Sequence, residues 1–272
     1  MLTKEAFKDQ QYIAIIKRYL RERGFCCDAY KPSYLQRRIQ VRLRSFQLES
    51  FSDYLRLLRT DPDEYRKLMD ALTINVTQFF RDSDVYEIMQ KQLIPDLLSE
   101  NRCRQTIRIW SAGCASGEEP YSIAILMREA MSSNKNDHNL SIIATDIDDI
   151  ILKIAREGSY SPEKLEKIPR SLIQKYFILD QDYHIKQDLK TFIRFKKSDL
   201  LADNGIKFCD LILCRNVLIY FNREDQERII QTFYEGLQTD GYLVLGKTEI
   251  LPPGLSNIFS CIDRRTHIYK KS

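Results

Sequence analysis

Through residue 73 the chain repeats apolar positions at three- and four-residue spacing, with Gly24 as a punctuation point and no strand-like alternation. That spacing gathers apolar side chains on one helical face, and it predicts helices near 3–23, 31–46, 50–59 and 62–72. Asp61 before Pro62 gives the last of these a capping residue and a first-turn proline. In the second helix Leu35, Ile39, Leu43 and Phe46 fall within an arc of about 80°, the stripe expected to be buried. Arg37 and Arg44 point away from it, while Lys31, Arg38 and Arg42 flank one edge.

Near residue 83 the rhythm changes. A helix over 83–98 leads to a short apolar strand, 106–110, and to the turn Ser111-Ala-Gly-Cys-Ala-Ser-Gly117. Helix 118–131, strand 140–145 and helix 148–157 follow; later come strand 209–214, helix 223–238 and strand 241–246. Strands alternating with helices of this length predict an α/β fold, with βαβ units building a mostly parallel sheet covered on both faces. Between 160 and 197 the alternation pauses. There Tyr183, Ile185, Phe192, Ile193 and Phe195 are spaced by charged residues, which predicts a helical turn or two and a small antiparallel β insertion. Residues 258–269 alternate around Asp263-Arg264-Arg265 and predict a closing hairpin. The division expected is a helical domain over 1–73, a linker over 74–82 and an α/β domain over 83–272.

Composition narrows the class. Apolar residues make up 43% of the 272 and charged residues 29%, a globular balance. No apolar stretch approaches the roughly 20 residues of a membrane span, and no signal-peptide pattern is present, so a cytoplasmic protein without membrane insertion is expected. Seven cysteines without a CxxC pair point to reduced thiols, and three histidines isolated from any cysteine cluster argue against a metal site. The net charge of +4 is localised: residues 1–72 hold 15 Lys/Arg against 10 Asp/Glu. A basic helical module beside a near-neutral α/β part suggests an acidic partner, not nucleic acid.

Candidate chemistry gathers at strand ends. The turn after strand 106–110 brings backbone N–H groups and a helix N-terminus towards a ligand at the carboxyl edge of the sheet. It is not GxGxxG, and Glu118 and Glu119 follow at once. Two carboxylates would repel a pyrophosphate but tolerate an ammonium or sulfonium ligand; equally, they would complement the helix dipole. Asp146, at the end of strand 140–145, stands where nucleotide-binding α/β domains hold ribose hydroxyls, with Asp148 better placed as a helix cap. Asp199 and Leu200 follow the next strand-like run. Strand 209–214 ends in Arg215, Asn216 and Val217, and Tyr220 and Phe221 come shortly after. In the linker, Asn75, Thr77 and Arg81 form a polar ladder against Ile74, Val76, Phe79 and Phe80.

Five segments, INVTQFFR (74–81), WSAGCASGEEPYSIA (110–124), ATDID (144–148), SDLL (198–201) and CRNVLIYF (214–221), resemble the chemotaxis receptor methyltransferases of the CheR family in order and spacing, across essentially the whole chain. The resemblance implies a Rossmann-like, seven-stranded S-adenosylmethionine-dependent methyltransferase domain, a helical N-terminal domain and a small β subdomain. It implies that Asn75, Thr77, Arg81, Glu118 and Asp146 contact S-adenosylmethionine or its product S-adenosylhomocysteine, that Asp199 and Leu200 border the adenine, and that Asn216 and Val217 complete the wall. Arg81 and Tyr220 would lie nearest the transferred methyl. The implied substrate is a glutamate on the cytoplasmic methylation helices of chemotaxis receptors, and the enzyme would be a monomer. Such a carboxylate, with a reference pKa of about 4.3, is already anionic at neutral pH and needs alignment but no general base. Arg37, Arg38, Arg42 and Arg44 would dock the acidic receptor helix. The rivals are a methyltransferase of the same fold with another substrate, and a non-catalytic sensor of S-adenosylmethionine.

Overall fold

The computed structural model describes residues 4–23, 30–73, 77–99, 106–133, 138–255 and 257–272. The chain divides into two compact units, one of residues 1–75 with 220–225, the other of residues 76–219 with 226–272.

The first unit holds four helices: α1 (Lys4–Arg21), α2 (Pro32–Ser45), α3 (Phe51–Thr60) and α4 (Pro62–Thr73). As the periodicity predicts, Ile16, Leu20, Leu35, Ile39, Leu58, Leu68 and Leu72 are almost fully buried. Asp61 caps α4, its carboxylate accepting from the Asp63 and Glu64 amides at 2.8 and 3.3 Å. Two details differ from the helical projection. Phe46 is the C-cap residue of α2 and remains 37% exposed, because the helix ends before its ring can turn inward. Arg42 faces α4, where its guanidinium grips Glu64 at 3.0 and 2.5 Å. Tyr54 donates to the same carboxylate at 2.6 Å. Glu64 is wholly buried, and removing one partner of such a pair costs about 3–5 kcal/mol. Arg42 is therefore structural, whereas Arg37 and Arg44 are exposed and Arg38 is half-buried with its guanidinium 5.5 Å from the Tyr34 ring centre.

Residues 220–225 join this unit through backbone and ring contacts. The Lys31 amide donates to the Tyr220 carbonyl at 3.0 Å, Tyr30 bridges Phe221, and the Tyr34 and Tyr220 rings lie 4.9 Å apart. The Tyr34 hydroxyl donates to the Leu72 carbonyl at 2.5 Å, and burial pushes its phenol up to about 12.

The second unit opens with a helical stretch, α5 (Ser83–Ile88), a wide π turn (Met89–Leu93) and α6 (Ile94–Leu97). Then come β1 (Thr106–Ala112), α7 (Glu118–Ser133), β2 (Asn139–Asp146) and α8 (Asp149–Glu157), the last capped by Asp148 as expected. The inserted segment carries β3 (Ser159–Tyr160), α9 (Arg170–Tyr176), β4 (Phe177–Leu179), β5 (Tyr183–Ile185) and α10 (Gln187–Lys190). The remainder is β6 (Ile193–Lys197), β7 (Cys209–Cys214), α11 (Arg223–Gly236), β8 (Leu237–Leu245), β9 (Phe259–Asp263) and β10 (Ile268–Lys271); α11 begins in the segment assigned to the helical unit. Seven strands form one sheet in the order β6-β2-β1-β7-β8-β10-β9, parallel from β6 to β8 and then reversed by the predicted hairpin. β7 is buried at every residue, as a central parallel strand must be.

The insertion is smaller than the sequence predicts. β3, β4 and β5 make a separate antiparallel sheet, but residues 193–197 leave it and pair in parallel with β2, Ile142 opposite Ile193. As an edge strand, β6 can expose Arg194, Lys196 and Lys197 between half-buried Ile193 and Phe195, and that alternation imitates a surface hairpin. Among the described residues no helix is long and apolar enough to cross a membrane.

Candidate active site

The carboxyl ends of β1, β2 and β7 lie side by side, so the loops leaving them converge. The β1 turn carries positive φ at Gly113 (+81°), Ala115 (+46°) and Gly117 (+95°). A Cβ on Gly113 would fall 2.4 Å from the Val217 side chain, so the turn and the loop after β7 can approach only with glycine there. The Gly113 and Cys114 amides donate to the Thr145 carbonyl at 2.8 and 2.9 Å, which locks the turn onto the end of β2.

Asp146 occupies the tip of β2. Its carboxylate accepts from the Ala115 amide at 2.9 Å and the Asp148 amide at 3.1 Å. Burial nevertheless holds its carboxyl above the ordinary range. The SDLL segment meets the same point, since the Ser198 amide donates to the Asp146 carbonyl at 3.0 Å. Asp199 itself shapes its own turn, accepting from the Leu201 amide at 2.9 Å, and Leu200 beside it is half-buried.

Two first-turn glutamates of α7 have separate tasks. Glu118 is fully buried; it accepts from the Ser116 hydroxyl at 2.6 Å and from Lys164 Nζ at 2.9 Å. Lys164 Nζ also donates to the Thr77 carbonyl at 3.1 Å. Glu119 accepts from the Ser111 hydroxyl at 2.7 Å and faces Arg215 at 3.5 Å; its burial raises the carboxyl pKa, against the pull of Arg215. The Arg215 side chain, 2% exposed, donates to the Arg81 carbonyl at 2.8 Å and to Asp82 at 2.7 Å. The Phe80 amide donates to the Ser122 hydroxyl at 3.0 Å. Through these bonds the end of the 74–82 segment is fastened to the start of α7 and to the loop after β7.

Asn216 has φ +60° and its amide donates to Glu249 at 2.8 Å. Glu249 also accepts from the Gly246 amide at 2.7 Å and the Ile219 amide at 3.3 Å, and its burial raises its pKa. The side-chain oxygen of Asn216 is buried and without a partner. An orphaned acceptor beside a glycine cradle and a ribose-type acidic residue fits a nucleoside ligand with donors to offer.

The structure thus brings Thr77, Arg81, Glu118, Asp146, Asn216 and Val217 to one end of one sheet. Asn75 lies outside the described residues. Tyr220 belongs to the helical unit, against Tyr34. Sequence reading marked Arg215 only as a polar strand end and passed over Lys164 and Glu249. The contacts Lys164–Glu118, Arg215–Arg81 and Glu249–Asn216 span 46, 134 and 33 positions, and the only local sign was a charge at the end of an apolar strand, for Arg215.

A glycine turn after β1, an acidic tip on β2 and the order β6-β2-β1-β7-β8-β10-β9 define a Rossmann-like domain of the S-adenosylmethionine-dependent methyltransferase class. Residues 75–268 match the family model for the CheR methyltransferase SAM-binding domain, and residues 10–73 match its all-alpha domain. The chain is 35% identical to a chemotaxis protein methyltransferase of Listeria innocua over 90% of its own length and 92% of the relative's. It is 33% identical to the chemotaxis protein methyltransferase of Borreliella burgdorferi, covering 87% of each chain. It is 34% identical to chemotaxis protein methyltransferase 2 of Pseudomonas aeruginosa over 91% and 87%. The chain belongs to the CheR methyltransferase family, and S-adenosylmethionine is its cofactor.

Proposed function

We propose that this methyltransferase acts in the cytoplasm, as a monomer, on glutamate side chains of chemotaxis receptors, and that its product is the glutamate methyl ester of sensory adaptation. When bound, S-adenosylmethionine supplies a methyl group on a sulfonium centre, an electrophile that an ionised carboxylate meets without losing a proton. The observation that carries the reading is that no histidine stands among the described residues gathered at this sheet end, Thr77, Arg81, Glu118, Asp146, Asn216 and Val217. His138 precedes β2, at the end opposite Asp146, and His184 lies in the small sheet. His267 donates through Nδ1 to the Glu249 carbonyl and stands in the turn between β9 and β10. An amine or alcohol acceptor would need proton removal; a glutamate does not.

The side chains then have positioning roles. Asp146 accepts from the ribose hydroxyls, and Asn216 offers its unpaired oxygen to the nucleoside with Val217 as the apolar wall. Asp199 and Leu200 border the adenine. Glu118 receives the methionyl ammonium, and Asn75 and Thr77 are further cofactor contacts. Arg81 and Tyr220 orient the receptor carboxylate; tight pairing by Arg81 would blunt the nucleophile, so alignment is its task. Relatives named chemotaxis protein methyltransferases support the receptor as substrate. A receptor cytoplasmic fragment should accept label from S-adenosylmethionine, and the same fragment with its methylation-region glutamates changed to glutamine should not. Equal labelling of both fragments would refute glutamate as the acceptor.

A further inference from the structure

Within the insertion, a single 3-10 turn (Pro162–Leu165) carries Lys164. Its ammonium meets Glu118 at 2.9 Å and the Thr77 carbonyl at 3.1 Å. The two partners differ in freedom. Glu118 is fully buried, and its second oxygen is held by the Ser116 hydroxyl at 2.6 Å. The Lys164 side chain keeps 40% of its surface exposed, on a four-carbon stem that can swing without moving the backbone.

We infer that Glu118 and Lys164 together form an opposite-charge receptor for the amino-acid end of the cofactor, Glu118 with the Thr77 carbonyl taking the ammonium and Lys164 taking the carboxylate. The inference rests on the reading of Glu118 as a cofactor contact. A zwitterion brings one charge of each sign to a pair carrying one of each sign. Inserting it leaves no buried carboxylate uncompensated, whereas displacing Lys164 with a bare cation would strand the ammonium. Arg215, another cation at this end of the sheet, is 2% exposed and held by Asp82 and Glu119. It cannot turn to a ligand without breaking both pairs. Lys164 can turn to a ligand, and it makes the site selective for ligands that keep the α-carboxylate.

Calorimetric titration with S-adenosylmethionine and with decarboxylated S-adenosylmethionine reads this selectivity directly, since both ligands share the sulfonium and the ammonium. Lys164→Met should weaken S-adenosylmethionine about tenfold and bind the decarboxylated ligand at least as tightly as wild type, while Lys164→Arg keeps the wild-type preference. The ratio within one variant is insensitive to a partly unfolded sample, and Lys164→Gln carries the same expectation if the methionine variant does not fold. Equal weakening of both ligands, unchanged binding of both, or tighter S-adenosylmethionine binding overturns the inference. Glu118→Gln should weaken both ligands. Wild-type binding of both by Glu118→Gln would refute the underlying reading, and the paired receptor with it; a non-selective Lys164→Met beside a weakened Glu118→Gln refutes the pair alone.

Discussion

Asp146 shows how one carboxylate can build a loop and keep lone pairs to spare. Its two oxygens accept one backbone amide each, from Ala115 and Asp148, and each retains a lone pair that a ribose diol could use. Burial raises its pKa while those amides oppose the shift; further donors from a diol would favour the ionised form. Asp146→Ala is expected to weaken S-adenosylhomocysteine by at least about tenfold, from the roughly 1.5–3 kcal/mol of hydrogen bonds to a charged group. Calorimetry on the folded variant checks it, and unchanged affinity would remove the ribose role. Glu249 works differently: it accepts three backbone amides and gives none of its oxygens to the outside, so it sets where Asn216 stands.

Helix α2 carries the argument for docking. Of its four arginines, Arg42 is fixed on Glu64, while Arg37 and Arg44 stay exposed. A face of one charge sign favours encounter with a glutamate-bearing helix. Arg37→Glu with Arg44→Glu should raise the apparent KM for receptor, leave S-adenosylmethionine binding intact and flatten the salt dependence of the rate. Wild-type kinetics from the double variant at low ionic strength would exclude α2 as the docking surface. The same helix shows what a sequence hides. Its apolar face was legible from Leu35, Ile39 and Leu43, because helical period depends on near neighbours. Arg42 was not, because its partner sits 22 positions away on α4. Likewise the strand–helix alternation and the tips at Asp146 and Asn216 could be read directly, while β6 was misplaced because an edge strand wears charges like a surface hairpin. Lys164 and Arg215 acquire meaning only through distant carboxylates.

At the scale of the molecule, the α/β unit supplies the cofactor site and the helical unit supplies the basic face, a division already visible in where the positive charge lies along the chain. The central claim is chemical: a carboxylate is methylated, and the product is an ester. Esters are hydrolysed by base, whereas N-methyl groups are not. The most direct measurement is incubation with tritiated S-adenosylmethionine and a receptor cytoplasmic fragment, followed by mild base and collection of volatile methanol. The account predicts that the protein-bound label leaves as methanol. Label that stays on the protein through base treatment would contradict it.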